Sequence, residues 1–380
     1  MINSAPQAVV SAPPWRDAKR YWWMLGWIAM LLPVIGAAIA ETTGLRGFWW
    51  MTLVVVFVAI PLLDQVLGDD TSNPPESAVP QLERDKYYRV IVRLAVLAEF
   101  VSLIVSAHLV ATRNFAWLDY LGVTLSLALV TGISINTAHE LGHKPARLER
   151  FLAQLALAPT GYGHFCVEHN YGHHKRVATP EDPASSRYGE SFWRFYPRTT
   201  WGGIVSGWQI ERERLSRHGL PAWHWQNAIV QSWAMTAVIW GALIAWCGVV
   251  IVPMLVIQAL WGSSLLEVVN YLEHYGLLRQ KRADGGYERC QPEHSWNSNR
   301  RVTNVFLYQL QRHADHHANP SRSYQSLRHF ETAPELPAGY ATMILVAYVP
   351  WLWFRVMNPR VKAHYHDNLA LANVLHADDR

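Results

Sequence analysis

Residues 115–143 read FAWLDYLGVTLSLALVTGISINTAHELGH. A helix needs about 20 predominantly apolar residues to cross the hydrocarbon core of a bilayer, and residues 115–138 supply such a run. It closes on His139-Glu140-Leu141-Gly142-His143, where two histidines stand four apart. Residues at that spacing share one face of a helix, with Cβ atoms about 5–6 Å apart. The stretch therefore reads as a membrane helix that delivers a pair of imidazoles at its end, and it points to an all-α integral membrane protein.

The rest of the chain repeats the first half of that pattern. Apolar runs occur at residues 21–40, 47–67, 90–111, 229–251 and 252–271, which with residues 115–138 makes six expected transmembrane helices. Pro253 marks the expected turn between the last two. Residues 340–354 are apolar but shorter, and are expected to lie on the membrane surface or to pack against the polar part. Charged residues are 16% of the chain and hydrophobic residues 51%, against about 25% charged in ordinary soluble domains. The 19 tryptophans, several paired beside apolar runs as at Trp22–Trp23 and Trp49–Trp50, suit the bilayer interface, because indole is apolar with one donor.

Lys and Arg set the orientation. Arg16, Lys19 and Arg20 precede the first span, Arg84, Lys86 and Arg89 lie between the second and third, and residues 144–217 are dense in both types. The opposite connections hold little beyond Arg46 and Arg113. Both termini and every histidine-rich segment are thus expected on the cytoplasmic side. The expected organisation is a cytoplasmic segment 1–20, one membrane-embedded catalytic domain 21–357, and a polar, loosely ordered tail 358–380. A net charge of +4 without a Lys/Arg run argues against a nucleic-acid partner. The three cysteines, Cys166, Cys247 and Cys290, form no C-x-x-C pair, which excludes a disulfide scaffold and a rubredoxin-type or zinc-ribbon module within this chain. The first 20 residues lack the apolar stretch of a cleaved signal peptide.

Of 18 histidines, nine fall into four tight groups near the expected cytoplasmic helix ends. These are His139 and His143; His169, His173 and His174; His274; and His313, His316 and His317. Pairs three or four apart can reach a common ion at about 2 Å, whereas the second ring of an adjacent pair points about 100° away and can serve a second ion. Nine ligands exceed the needs of one metal and suit two. Glu140, Glu168, Asn270, Glu273 and Asp315, beside the histidines, are candidates to orient them through hydrogen bonds. The remaining histidines, among them His108, His218 and His329, read as structural, with His164 and His294 the nearest to exceptions. Glu99, within the third span, is an intramembrane ionisable group and a functional candidate by position.

Two other metal readings fail on counting. His139-Glu140-x-x-His143 also matches the H-E-x-x-H zinc protease signature, but that leaves six or seven clustered histidines unexplained. Soluble di-iron bundles need paired E-x-x-H motifs, and only Glu140-x-x-His143 has that form. A metal transporter would place ligands at mid-membrane depth rather than at helix ends.

The runs His139 to Lys144 (HELGHK), Glu168 to His174 (EHNYGHH), Asn270 to Leu277 (NYLEHYGL) and Leu310 to Ala318 (LQRHADHHA) resemble the membrane-bound alkane 1-monooxygenases, a histidine-rich di-iron family related to membrane fatty-acid desaturases and hydroxylases. Ala178 to Ser186 (ATPEDPASS) and Tyr324-Gln325-Ser326 are similar to the same family. The resemblance covers about residues 20–355, and the H-x-x-x-H-H spacing of the second box favours the alkane branch. It implies two non-haem iron ions on the nine histidines, four or five each, without a carboxylate bridge. The implied reaction inserts one atom of O2 into the terminal methyl of a medium-chain n-alkane, giving a primary alcohol and water. Electrons would come from rubredoxin, reduced by an NAD(P)H-dependent reductase and either a separate protein or a part outside this sequence. The implied location is the bacterial inner membrane. An alkane offers no polar handle, so burial at about 0.8 kcal/mol per methylene would bind it, in a tunnel expected among the first four spans and the sixth. A desaturase, another hydroxylase or an aryl-methyl monooxygenase is the nearest alternative.

Overall fold

The computed structural model describes residues 15–375. Among these residues there is no extended strand, only isolated bridges between loops. The helices that frame the site are α1 (Met24–Ala29), α2 (Leu32–Thr43), α3 (Arg46–Leu67), α4 (Lys86–Thr112), α5 (Trp117–Gly142), α6 (Arg147–Leu157), α7 (residues 165–176), α8 (Phe192–Ser216), α9 (Ala228–Cys247), α10 (Val249–His274), α11 (Arg301–Phe306), α12 (His313–Ala318), α13 (Tyr340–Ala347) and α14 (Pro350–His364). Of these, α3, α4, α5, α9 and α10 are long and apolar enough to cross a membrane.

The expected first span is two pieces rather than one helix. Pro33 has no N–H and its ring crowds the carbonyl four residues back. The ladder accordingly slips to three-residue bonds, Met30 N–H to Trp27 O at 3.1 Å and Leu31 N–H to Ile28 O at 2.9 Å, and α2 begins at Leu32. Pro61 acts similarly inside α3, where residues Val55–Ala59 widen into a π-turn just before it. Between α9 and α10 the turn is made by Gly248, at φ 82°, and not by Pro253. That proline sits in the first turn of the α-helical part of α10, which begins at Val252 after a 3-10 turn, and there its missing N–H costs nothing. Side-chain caps fix two starts: Asp85 accepts from Tyr87 N–H ahead of α4, and Asn227 accepts from Ile229 and Val230 N–H ahead of α9.

The central pair is α5 against α10. A Cβ on Gly132 would lie 2.7 Å from Leu265 Cδ1 and 3.0 Å from the Gly262 carbonyl oxygen, so only glycine permits this approach, as at many membrane helix contacts. Beside it, Thr131 Oγ1 donates to Gln258 Oε1 at 2.9 Å. Both helices run toward the same end of the molecule and finish in histidines. By contrast, α9 turns Val238 and Trp246 outward, as a lipid-facing helix should.

Two regions depart from the expected outline. The polar stretch after the second histidine box contains α8, 25 residues long, which leaves Trp193 and Trp201 exposed. The apolar stretch from residue 340 is α13 and α14, bent by 118°, so it does not form a straight span. Helix α14 runs through the expected start of a loose tail at residue 358. Met357 and Val361 are fully buried, and Tyr188 bridges to Val374; residues 376–380 of that tail, like 1–14 at the other end, lie outside the described residues. The end of the expected N-terminal segment is tied down by Lys19 to Asp70 at 2.8 Å and by Asp17, which accepts from Trp23 Nε1 and the Tyr88 hydroxyl.

Candidate metal centre

Four segments far apart in sequence meet at the ends of α5 and α10. The last turn of α5 and the residue after it bring His139 and His143, α7 brings His169, His173 and His174, α10 ends on His274, and α12 carries His313, His316 and His317. The nine imidazoles form two groups, His139, His143, His169, His174 and His316 in one, and His173, His274, His313 and His317 in the other. Within each group the ligand atoms lie within 4.8 Å of one another. The groups abut: the ring centroids of His174 and His317 are 4.7 Å apart.

Local backbone explains the division. In α12, His313 and His317 are four apart and share a group while His316 points to the other, as α-helical spacing requires. In α7 the rule changes. Residues His169–His173 form a π-turn, and its bonds to the fifth residue bring His174, rather than His173, under His169. The widened turn packs against an ion pair at position 172, where a Cβ would lie 2.5 Å from Glu168 Oε1 and 2.6 Å from Arg176 Nη2, so those side chains would have to shift.

The Nε2 atoms face inward. His139 and His316 approach to 2.9 Å, His316 and His174 to 3.1 Å, and His174 and His169 to 3.1 Å. In the second group His317 and His313 approach to 2.8 Å, and His313 and His274 to 3.2 Å. His143 Nε2 and His173 Nε2 are buried with no hydrogen-bond partner. Burial, and then the neighbouring imidazoles, hold His143, His169, His174, His313, His316 and His317 well below the ordinary histidine range. They are neutral, the form that binds metal. Converging lone pairs are unfavourable unless a cation sits between them, so the residues of each group fit a metal ion. For His173 burial is outweighed: Asp182 Oδ2, 2.8 Å from Nδ1, raises it.

Asp182 is the carboxylate that sequence reasoning missed as an orienting residue. It is buried, receives the Ser185 hydroxyl at 2.6 Å and the Ala184 N–H at 3.2 Å, and holds His173 so that Nε2 points inward. It lies nine positions after His173 with no periodic relation to it. The only trace of it in the sequence was the ATPEDPASS run. Of the five expected orienting residues, only Glu273 reaches a histidine, its Oε2 3.2 Å from His313 Nε2. Glu140 pairs with Lys144 at 2.9 Å, Glu168 with Arg176 at 2.9 Å, and Asp315 with Arg328 at 2.8 Å. Asn270 donates to Glu267 at 3.2 Å. The His294 backbone carbonyl lies 3.4 Å from His274 Nδ1, while its ring caps Gln291 N–H. His164 packs on Tyr162, and His329 lies 3.0 Å from the Asn299 amide. His108 stacks on Trp246 and Glu99 receives the Ser134 hydroxyl at 2.5 Å, both outside the histidine groups.

An apolar cleft of about 70 Å³ lies among these helices, lined among others by Phe57, Ile60, Ile133, Asn136, Leu265, Phe306, Leu310 and Ile344. Asn136 and Leu310 stand three residues before His139 and His313. The cleft uses α1, α3, α5, α10, α11 and α13; unlike the expected tunnel, it takes no lining residue from α4.

Comparison with known proteins agrees with this geometry. The family model described as fatty acid desaturase matches residues 115–347. Alkane 1-monooxygenases of Acinetobacter baylyi and Ectopseudomonas oleovorans are 48% and 47% identical to the chain, covering 94% and 92% of it and 88% of each relative. That of Pseudomonas putida is 46% identical, covering 95% of the chain and 90% of the relative. The chain belongs to the alkane 1-monooxygenase family. As a member of that family it is a membrane enzyme of the monooxygenase class, and its histidine cluster is a metal site. The protease reading of His139-Glu140-x-x-His143 has no support in the structure, because both histidines share a five-membered group and Glu140 is engaged with Lys144.

Proposed function

We propose that the enzyme hydroxylates the terminal methyl of medium-chain n-alkanes, with two iron ions held one by each histidine group and with electrons supplied by a rubredoxin. The observation that carries this reading is the assembly of nine histidines into two groups at the ends of helices, of which α5 and α10 also line an apolar cleft. When bound, the iron pair supplies the redox chemistry that reduces O2. One oxygen atom enters the C–H bond and the other leaves as water, with uptake of two electrons and two protons.

The chain's own residues select the substrate by exclusion. Leu265, Phe306, Leu310 and Ile344 line a wall that rejects polar molecules, and each methylene buried there contributes about 0.8 kcal/mol. A chain lying end-on along the cleft presents its terminal methyl toward His139 and His313, so approach geometry gives the regioselectivity. On the opposite side a polar opening of about 340 Å³, lined by His174, Lys175, Arg279, Arg289 and His317, reaches the histidines from water. Its cations favour an acidic electron donor. With the Lys/Arg distribution, this supports a cytoplasmic metal site in a single catalytic domain of the bacterial inner membrane.

The test is iron content of the purified enzyme together with octane turnover by rubredoxin, its reductase and NADH. About two irons per chain and 1-octanol are expected. Zinc in place of iron refutes the iron assignment, and an unsaturated or non-terminal product refutes the reaction.

A further inference from the structure

The two histidine groups are unequal, five nitrogens against four, and beside Asp182 a second buried carboxylate, Glu273, stands at the smaller group. Glu273 precedes His274 on α10 and is 1% exposed. The Tyr340 hydroxyl donates to its Oε1 at 2.8 Å, which fixes the plane of the carboxylate. The other oxygen, Oε2, lies 3.2 Å from His313 Nε2. That nitrogen is the inward-facing one, itself 2.8 Å from His317 Nε2 and 3.2 Å from His274 Nε2.

Oε2 receives no O–H or amide hydrogen bond among the described residues, so its one close polar neighbour is the inward-facing His313 Nε2. With Glu273 ionised, two lone pairs face each other there, and a cation placed between them would bind both. A carboxylate withdrawn from water also needs a compensating cation. Glu168 has Arg176, Glu140 has Lys144 and Asp315 has Arg328, while Glu267 is held by the Tyr162 and Thr199 hydroxyls and the Asn270 amide, and Asp182 by His173 and the Ser185 hydroxyl. Glu273 has no Lys or Arg partner among the described residues. The cation that would satisfy both Oε2 and the surrounding nitrogens is the ion of the four-histidine group.

We propose that Glu273 is an oxygen ligand of the ion held by His173, His274, His313 and His317, giving each group five donors. The proposal rests on the two-ion reading above. It makes the two ions chemically unlike. The five-histidine ion has only neutral ligands, and no carboxylate lies within salt-bridge distance of its nitrogens among the described residues. The other has the Glu273 carboxylate on the metal and Asp182 behind His173, so anionic charge gathers at one ion and favours its higher oxidation state.

The test uses the full-length enzyme in detergent, loaded anaerobically with ⁵⁷Fe(II), with Glu273→Gln and Glu273→Ala beside the parent. Gln keeps the shape and the Tyr340 contact while removing the charge, so folding is not confounded with ligation. Iron per chain is followed during challenge with an Fe(II) chelator, and Mössbauer spectra are recorded without turnover. Loss of an orienting partner weakens metal binding by about 10–100-fold. Loss of a direct ligand is expected to exceed about 100-fold for one ion and to change one of two iron environments, leaving the other intact. Two ions held by both variants as tightly as in the parent, with unchanged spectra, would overturn the assignment. If the parent holds one ion, the two-ion reading falls. Glu273 as ligand is then decided by whether Glu273→Gln loosens that ion.

Discussion

Replacing Asp182 by Asn separates the charge of that residue from its shape. In the structure the carboxylate makes three close contacts: Oδ2 with His173 Nδ1 at 2.8 Å and with the Ser185 hydroxyl at 2.6 Å, and Oδ1 with the Ala184 N–H at 3.2 Å. An Asn side chain can keep one acceptor for Ala184, but its amide nitrogen is donor-only and accepts from neither His173 nor Ser185. His173 then loses the partner that makes it electron-rich and holds its ring in place. Loss of such a partner costs about 10–100-fold in metal affinity, or about 1.4–2.8 kcal/mol at 1.4 kcal/mol per tenfold. The Ser185 hydroxyl loses its acceptor but still accepts from Ala178 N–H and can accept from the new amide, so the added folding cost is about 1 kcal/mol. The assay is iron retention under a graded chelator, with thermal unfolding of the iron-free protein measured in parallel to isolate the folding term. Asp182→Glu serves as the conservative comparison and should recover part of the affinity. Iron retention equal to the parent in Asp182→Asn, with a lowered melting temperature alone, would show that Asp182 is structural and that the argument from His173 is wrong.

Three further outcomes are expected. Gly172→Ala should destabilise the enzyme by about 1–3 kcal/mol and lower its iron content, because the added Cβ meets Glu168 Oε1 and Arg176 Nη2; unfolding curves with full iron retained would contradict the π-turn account. Leu310→Trp narrows the cleft near His313, and gas chromatography of alcohols from a C5–C12 alkane series should show the preference moving toward shorter chains, whereas an unaltered profile would mean the substrate lies elsewhere. Lys175→Glu with Arg289→Glu at the polar opening should raise the KM for an acidic rubredoxin about tenfold at low salt, by the charge reversal, with little effect on kcat; a salt-independent KM equal to the parent's would remove this face as the docking site.

The spans were legible because length and apolarity are properties of composition, and the bilayer sets the length. Residues 115–138 alone announced α5. What composition cannot show is where the hydrogen-bond ladder breaks. Residues 21–40 are apolar enough to be one span, yet Pro33 divides them into α1 and α2. Residues 340–354 look like a short helix, yet Pro350 opens a second one at 118° to the first. The helix α8 stayed hidden because its face is mixed, with Glu211 buried in an ion pair to Arg214 and Trp201 exposed. The buried end of α14 was hidden for a related reason: Pro359, Arg360, Lys362 and Ala363 are exposed, and past Trp353 only Met357 and Val361 are fully buried.

The centre was legible to the level of which histidines assemble and illegible in how they divide. Spacing four apart predicts that His169 and His173 share an ion, and the same rule is obeyed by His139 with His143 and by His313 with His317. The second box departs from it through one extra residue per turn. A π-turn carries no sequence mark except what it permits, here a glycine at position 172 where the widened backbone runs against the Glu168–Arg176 pair. Had α7 been regular, His174 would point away from His169 and the first group would hold four nitrogens at most. The π-turn and the glycine contact between α5 and α10 do different work. The first brings two histidines of one helix, His169 and His174, into one group, and the second brings together the helices that carry His139 of one group and His274 of the other. A helix interior gains nothing from either, which is the physical reason to place the chemistry where the two meet.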